Sequence, residues 1–273
     1  MEVRFAIVQN KTSATPAESL DHLEELLLPL RGKCDVIVLP EMCLQPYQAK
    51  AFVSFAQEKG GAIYQRLQQL ACQTAAYLVA GTVAEKEVER IYNTSYVFDT
   101  QGNEIAKHRK MHLFDIAIKG GQHFRESDRL TPGDEVTTFK TEFGTMGLMI
   151  CYDVRFPELT RLTVDEGAQV LIVPGAFNET TGPLHWELHF RARAVDNQVY
   201  TIGCAPASNP ESGYSAYGHS IACDPWGRVL LQMERDERVE IVTLDLDEVK
   251  KVREQLPLLA HRRKDIYRIV KSR

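Results

Sequence analysis

Short apolar runs alternate with segments of helical periodicity along the whole chain. The runs Val3–Val8, Asp35–Glu41 and Tyr77–Val83 have the length and the β-branched content of buried strands. Between the first two, leucines recur at helical spacing behind Thr15 and Pro16, which suit the N-cap and the first position of a helix. The pattern therefore predicts an α/β fold.

The two halves of the chain repeat one arrangement of elements. Phe5–Val8, a helix and Val36–Glu41 resemble Leu148–Cys151, a helix and Val170–Ala176. Two mixed sheets packed face to face, with helices outside both, would bury all of these strands. We therefore expect a four-layer α-β-β-α sandwich with one sheet from each half. No composition break divides the chain, so we predict a single domain over residues 1–273 with a C-terminal arm from about residue 257.

Composition and charge narrow the range of partners. A net charge of −5 gives no reason to expect nucleic acid or an anionic membrane as a partner, and no window is apolar enough for a membrane span. The six cysteines form no C-x-x-C pair, which indicates reduced thiols rather than a disulfide framework. Val3–Val8 follows Met1 without a basic region, so we expect no signal peptide and a cytoplasmic location.

The segment Gly144–Glu158 joins an apolar run to a helix start through a cysteine. Leu148–Ile150 predicts a buried strand that ends at Cys151, and Pro157 suits the first position of a helix. We expect Cys151 in a sharp strand-to-helix turn near a helix N-terminus, a setting that favours a thiolate. The alternative is a small core thiol, which is a common role of free cysteine.

Two charged residues follow other predicted strands. Glu41 ends the run Asp35–Glu41, and Lys110 follows the predicted strand Glu104–Arg109. An unpaired charge at a buried strand end is costly, so the two charges compensate each other if both lie near Cys151. Glu41 would then accept the thiol proton and Lys110 would hold a developing oxyanion. The alternative for each is a solvated residue at a strand end.

Three motifs taken together resemble those of the nitrilase superfamily of carbon–nitrogen hydrolases. They occur in that family's order, and the resemblance covers nearly the whole chain. The motifs are Leu39–Glu41, His108–Phe114 and Gly147–Glu158. The resemblance implies the α-β-β-α sandwich and a catalytic set of Glu41, Lys110 and Cys151 with a second glutamate.

The second glutamate of that family lies in the loop between the lysine and the cysteine. Here Lys110–Asp134 is long and irregular, and Glu126 in it resembles the family's position. Asp115 and Glu135 match no motif. The resemblance implies that Glu126 positions Lys110 and helps with proton handling.

Further motifs are similar to the ω-amidase branch of the family. They are Pro174–Asn178, Thr180–Pro183, His185–Leu188, Arg191–Tyr200, Tyr217–Ser220 and Asp224–Gly227. This branch hydrolyses the terminal amide of α-ketoglutaramate and α-ketosuccinamate, releasing ammonia and a dicarboxylic keto acid. The chain departs from the branch at His189–Phe190.

Such a substrate requires a cation at the far end of its pocket. Arg155 is the strongest candidate because its planar fork grips a carboxylate bidentately. Phe177 is expected to form a pocket wall, and Tyr47 is a weaker candidate for substrate binding. The alternative for Arg155 is an ion pair with a surface acid.

The resemblance implies a thioester mechanism without a cofactor. Glu41 deprotonates Cys151 as the sulfur attacks, and Lys110 with the Tyr152 backbone N–H holds the oxyanion. The family usually forms dimers, so we expect a homodimer or a higher homo-oligomer, and we expect a small-molecule amide as the substrate.

Other readings of the sequence stay open. His185 and His189 have the one-turn spacing of zinc ligands, but no third ligand is apparent and we expect no metal. A Cys–His pair would use His108, His112 or His219 as the base. The chain is alternatively another hydrolase of the same superfamily, acting on a carbamoyl, other aliphatic amide or nitrile group, or a non-catalytic interaction protein of the same fold.

Overall fold

A computed structural model of the protein describes residues 1–117, 119, 123–209 and 214–272. Within the predicted irregular stretch Lys110–Asp134, positions 118 and 120–122 lie outside the described residues, and the described part holds a short hairpin. The helices are α1 Pro16–Leu27, α2 Ala49–Ser54, α3 Ala62–Thr74, α4 Pro157–Asp165, α5 Gly182–Asn197 and α6 Asp247–Gln255.

Most of the strands form two mixed sheets. The strands are β1 Glu2–Gln9, β2 Val36–Val38, β3 Gln57–Glu58, β4 Tyr77–Val79, β5 Val83–Glu87, β6 Arg90–Phe98, β7 Glu104–Arg109, β8 Asp115–Ala117, β9 His123–Arg125, β10 Thr137–Thr141, β11 Gly144–Leu148, β12 Val170–Pro174, β13 Tyr200–Cys204, β14 Ile221–Cys223, β15 Val229–Gln232 and β16 Arg238–Asp245. The first sheet has the order β16-β1-β2-β4-β6-β5-β3 with β7 beside β6, and the second has the order β10-β11-β12-β13-β14-β15. Strands β8 and β9 pair only with each other.

The two sheets pack face to face, and helices cover both outer faces. Side chains such as Phe5 and Val38 of the first sheet pack against Leu148 and Ile172 of the second. The outer face of the first sheet is covered by α1 and α3, and that of the second by α4 and α5. The predicted four-layer α-β-β-α sandwich is confirmed. One detail differs, because β16 from the C-terminal half pairs with β1 along Glu2–Gln9 in the first sheet.

Two predicted strands are shorter than the apolar pattern indicated. Of Asp35–Glu41 only Val36–Val38 forms a strand, and Tyr77–Val83 divides at Gly81 into β4 and β5. Gly81 has a φ of +54°, and a Cβ there would lie 2.1 Å from the Pro40 carbonyl oxygen. Glycine therefore allows the backbone after β4 to lie directly against the turn that carries Glu41.

Helix α1 begins as the sequence predicts. Thr15 and Glu18 form a reciprocal capping box, with Pro16 at the start of the helix. Beyond α6 the chain contacts α4, since Arg262 Nη1 lies 2.6 Å from Asp165 at the end of that helix. Among the described residues, no helix combines the length and apolarity needed to cross a membrane.

Candidate active site

Cys151 lies where the second sheet gives way to helical backbone. Strand β11 ends at Leu148, and the Met149 N–H donates to the Ile172 carbonyl at 3.1 Å before the chain turns. Cys151 has a φ of +46° and opens a short 3-10 helix, Cys151–Arg155. A non-glycine residue in this conformation is strained, so the surrounding contacts must hold it.

Asp153 holds this turn from inside the protein. Its carboxylate is fully buried and accepts hydrogen bonds from the Ile150 N–H at 3.1 Å and the His112 N–H at 2.9 Å. The rings of His108 (Nε2, 3.1 Å) and His112 (Nδ1, 2.8 Å) bond to the same carboxylate. Burial opposes ionisation, yet these hydrogen bonds keep the pKa of Asp153 well below its usual range.

Glu41, Lys110 and Glu126 meet in one buried cluster. Lys110 Nζ lies 2.8 Å from Glu41 Oε1 and 2.9 Å from Glu126 Oε2, and all three side chains are inaccessible to solvent. Glu41 follows β2, Lys110 follows β7, and Glu126 begins a 3-10 turn after β9. The Phe114 N–H fixes Glu126 by donating to Oε2 at 2.6 Å. The predicted compensation between Glu41 and Lys110 is therefore present.

Two further polar side chains complete the cluster. Asn93 Nδ2 donates to Glu41 Oε1 at 2.8 Å, and the Tyr47 hydroxyl bonds to Glu126 while accepting from Lys110 Nζ at 3.2 Å. Tyr47 therefore contacts the charged groups directly and supports them by hydrogen bonds.

The ionisation of the cluster follows from burial and mutual charge. Burial raises the pKa of Glu41, the Lys110 charge lowers it, and Glu126 raises it again, with a raised pKa as the outcome. Burial would lower the pKa of Lys110, but Glu126 and Glu41 hold it well above its usual value. Lys110 therefore stays charged between its two carboxylates.

The thiol of Cys151 differs from the sequence-based expectation of a thiolate. Burial, followed by the neighbouring Glu41 charge, raises its pKa well above the usual value, although Lys110 and the Ala176 N–H act in the opposite direction. Helix α4 starts only at Pro157, so its N-terminus does not outweigh these effects. The resting site thus holds a protonated thiol beside Glu41. Among the described residues, Glu41 Oε2 accepts no other hydrogen bond, so this oxygen is available to take the thiol proton.

Arg155 and Phe177, both predicted from the sequence to contact the substrate, lie next to each other. The Arg155 guanidinium carbon is 4.6 Å from the centre of the Phe177 ring and 5.6 Å from that of Tyr152. Within the described residues, Arg155 forms no ion pair with an acidic side chain, in contrast to the surface pair considered as its alternative. Its Nη1 instead lies 3.0 Å from His185 Nδ1 and 3.1 Å from His189 Nε2.

The other candidate residues have different partners. Asp115 accepts from the Ser127 N–H at 3.0 Å, and Glu135 is exposed. His219 Nδ1 lies 3.0 Å from the Met233 carbonyl oxygen, and His108 Nδ1 lies 2.9 Å from Thr137 Oγ1. The imidazoles of the Cys–His alternative are therefore engaged elsewhere. No group of three or more potential metal ligands occurs in the described part of the chain.

Sequence reasoning did not assign roles to Asn93 and Asp153. A signal exists for Asp153, which is a charged residue in the mainly apolar segment after β11, whereas Asn93 is followed by the polar residues Thr94 and Ser95 in β6 and does not stand out. A buried polar side chain requires a partner. Which partner it meets depends on strands far apart in the sequence.

The chain belongs to the carbon–nitrogen hydrolase family. The family model described as "Carbon-nitrogen hydrolase" matches residues 4–254. The predicted membership of the nitrilase superfamily is confirmed, and the protein is a hydrolase that acts on amide C–N bonds.

Individual relatives are similar over nearly the whole chain. The ω-amidase NIT2 of Xenopus tropicalis is 40% identical over 267 residues, which cover 97% of both chains. The hydrolase C26A3.11 of Schizosaccharomyces pombe is 44% identical over 97% of this chain and 83% of its own. The crystal structure of Saccharomyces cerevisiae Nit3, a member of branch 10 of the nitrilase superfamily, matches with a TM-score of 0.87 and 38% identity, covering 96% of this chain and 97% of that one.

Proposed function

We propose that this enzyme is an ω-amidase that hydrolyses the terminal amide of small dicarboxylic ω-amides through a Cys151 thioester. α-Ketoglutaramate and α-ketosuccinamate are the proposed substrates, and the products are the dicarboxylic keto acid and ammonia. The observation that carries this proposal is Arg155, a half-buried cation that has no acidic partner among the described residues and lies on the same 3-10 turn as Cys151. The similarity to relatives named ω-amidase also supports it.

The first half of the reaction transfers the acyl group to sulfur. Glu41 Oε2 takes the Cys151 proton while Sγ attacks the amide carbon. Lys110 Nζ and the Tyr152 N–H hold the oxyanion that forms. Glu41 then gives its proton to the amide nitrogen, the C–N bond breaks, and ammonia leaves a thioester on Cys151.

The second half restores the thiol. Glu41 takes a proton from water as the water oxygen attacks the thioester carbon. The C–S bond breaks, the acid leaves, and the Cys151 sulfur recovers the proton from Glu41. The raised pKa of Glu41 suits this role because a carboxylate must accept and return a proton at neutral pH. Glu126 and Tyr47 keep Lys110 in place.

The proposal is tested by ammonia release and by intact mass after a substrate pulse. We expect ammonia from α-ketoglutaramate and an acyl adduct on the unchanged protein, with both absent in Cys151→Ala. Cys72→Ala is the matched control, since Cys72 is an exposed free thiol, and it should behave as the unchanged protein does. The proposal is wrong if neither keto acid amide releases ammonia near neutral pH. It is also wrong if an acyl adduct persists in Cys151→Ala.

We also propose that the chain is one cytoplasmic domain that works as a homodimer. Light scattering on the purified protein measures the mass of the assembly directly. A monomeric mass at working concentration would contradict the dimer.

A further inference from the structure

Arg155 uses one of its terminal nitrogens entirely on two histidines. Nη1 carries two hydrogens, and it lies 3.0 Å from His185 Nδ1 and 3.1 Å from His189 Nε2. Both imidazoles must accept, because guanidinium has donors only. His185 therefore carries its own proton on Nε2, and His189 carries its proton on Nδ1.

Both imidazoles are neutral at neutral pH. Burial and then the Arg155 charge lower the pKa of His189 to about 4. The same two causes, in the same order, lower the pKa of His185. The histidines thus fix the guanidinium by hydrogen bonds while leaving its positive charge uncompensated.

The opposite edge of the guanidinium has no hydrogen-bond partner among the described residues. Nε is buried and unpaired there, and the side-chain bonds of Arg155 all come from Nη1. The Nε–Nη2 edge is one of the two edges on which arginine binds a carboxylate with parallel hydrogen bonds. The Arg4–Asp35 pair of this protein uses that geometry, with distances of 3.1 Å from Nε and 2.7 Å from Nη2.

We propose that His185 and His189 are positioning residues that set the specificity of this enzyme for substrates with a distal carboxylate. They saturate Nη1 and direct the free Nε–Nη2 edge of Arg155 to that carboxylate. This inference rests on the proposed function. It assigns a role to His189, where the chain departs from the ω-amidase motifs.

The choice of neutral acceptors has a physical reason. An aspartate or glutamate in place of either histidine would also orient Arg155, but it would neutralise the guanidinium and compete with the substrate carboxylate. The two histidines are one turn apart on α5, and the helix is held firmly because the Trp186 indole donates to the His219 carbonyl at 2.6 Å. Their spacing on one rigid helix places both acceptors on the same nitrogen.

A pair of variants of equal size at one position separates this role from a merely structural one. His189→Gln keeps a neutral acceptor, and His189→Glu introduces a charged one. Each is assayed on α-ketoglutaramate and on a primary amide of the same length that lacks the distal carboxylate. His261→Gln and His261→Glu are the matched controls, since His261 is exposed in the C-terminal arm.

We expect His189→Gln to keep the KM for α-ketoglutaramate within about twofold. His189→Glu should raise this KM by about tenfold or more, because Arg155 would pair with the new carboxylate and lose its charge-assisted bond to the substrate. The increase appears in KM rather than in kcat, and it is smaller for the amide without a carboxylate. Thermal unfolding verifies that the variants are folded. If neither variant at 189 folds, His185→Asn and His185→Asp provide the same comparison.

Equal KM values for the Gln and Glu variants, or an equal change for both amides, would overturn the role of the histidines while the proposed function stands. If the unchanged enzyme shows no preference for the carboxylate-bearing amide, the proposed function fails and the inference fails with it.

Discussion

Lys110 supplies the positive charge on which two buried carboxylates depend. Neither Glu41 nor Glu126 has another cation within bonding distance among the described residues. Removing one partner of a buried ion pair typically destabilises a protein strongly, because the remaining charge loses both water and its counter-charge. The same residue that serves the oxyanion in the proposed mechanism therefore also holds the fold together locally.

Asp153→Asn tests the support behind the nucleophile. The aspartate accepts four hydrogen bonds through two oxygens, and asparagine has one acceptor oxygen and no charge. We expect a loss of about 3 kcal/mol in the free energy of unfolding, measured in urea, and slower acylation of Cys151 in the intact-mass assay.

The control for this prediction is Asp21→Asn, which alters an exposed pair with Arg66. Its effect should stay within about 1 kcal/mol. If Asp153→Asn acylates as rapidly as the unchanged enzyme, the carboxylate does not hold the Cys151 turn.

For single residues, the sequence reveals the charged candidates of the site but not the residues that hydrogen-bond to them. Glu41 and Cys151 end apolar runs and Lys110 follows a predicted strand, and the resemblance to the nitrilase superfamily joined the three into one catalytic set. The hydrogen bond from Asn93 to Glu41 joins β6 to the turn after β2, and no local pattern reports that contact. The local setting of a strand-to-helix turn favours a thiolate, but burial and the distant Glu41 raise the pKa of Cys151, and no local pattern reports either effect.

Among the elements, the turn after β2 depends on a glycine in another connection. Gly81→Ala places a Cβ against the Pro40 carbonyl and requires a positive φ from alanine. We expect a loss of about 2 kcal/mol or more in the free energy of unfolding, with a fall in kcat because Glu41 follows Pro40.

Thr15→Ala is the matching change in an element remote from the site. It removes the N-cap of α1, so we expect a loss of about 1 kcal/mol in stability with kcat unchanged. A Gly81→Ala enzyme with the kcat of the unchanged protein would show that Glu41 does not depend on this contact.

Element boundaries were the weaker part of the sequence-based prediction. The run Asp35–Glu41 was predicted as one strand, yet Leu39, Pro40 and Glu41 are buried outside it. Burial extends beyond the strand because the two sheets and the loops above them enclose this turn. The pattern of apolar residues indicates which residues are buried, whereas backbone hydrogen bonds between strands define where a strand ends.

For the whole molecule, buried carboxylates with lowered pKa values make stability depend on pH. Burial would raise the pKa of Glu85, but hydrogen bonds from Arg109 at 2.8 and 2.9 Å lower it to about 2. A carboxylate with a lowered pKa in the folded state contributes stability above its unfolded pKa and loses it as pH falls.

We therefore expect the free energy of unfolding to decrease from about pH 4.5 down to about pH 2, because the unfolded chain binds a proton at Glu85 that the folded protein does not bind until about pH 2. Urea titrations at a series of pH values measure this change. Glu85→Gln should flatten it, and a variant whose profile runs parallel to that of the unchanged protein would contradict the assignment.

The architecture as a whole was predictable because buried strands and amphipathic helices alternate in two similar units. Pairing between distant strands was not, as the position of β16 beside β1 illustrates. In the antiparallel register of β1 and β16, Glu2 pairs with Asp245 and Gln9 with Arg238. The alternation of apolar and polar residues along a strand does not indicate which other strand pairs with it.

This pairing of the first and last strands also determines the order of events during synthesis. Strand β1 is synthesised long before its partner β16, because most of the residues of both sheets lie between them. Until then one edge of the first sheet presents unpaired backbone groups, which attract other chains. The growing chain is therefore exposed to aggregation along this edge until β16 has been made and pairs with β1.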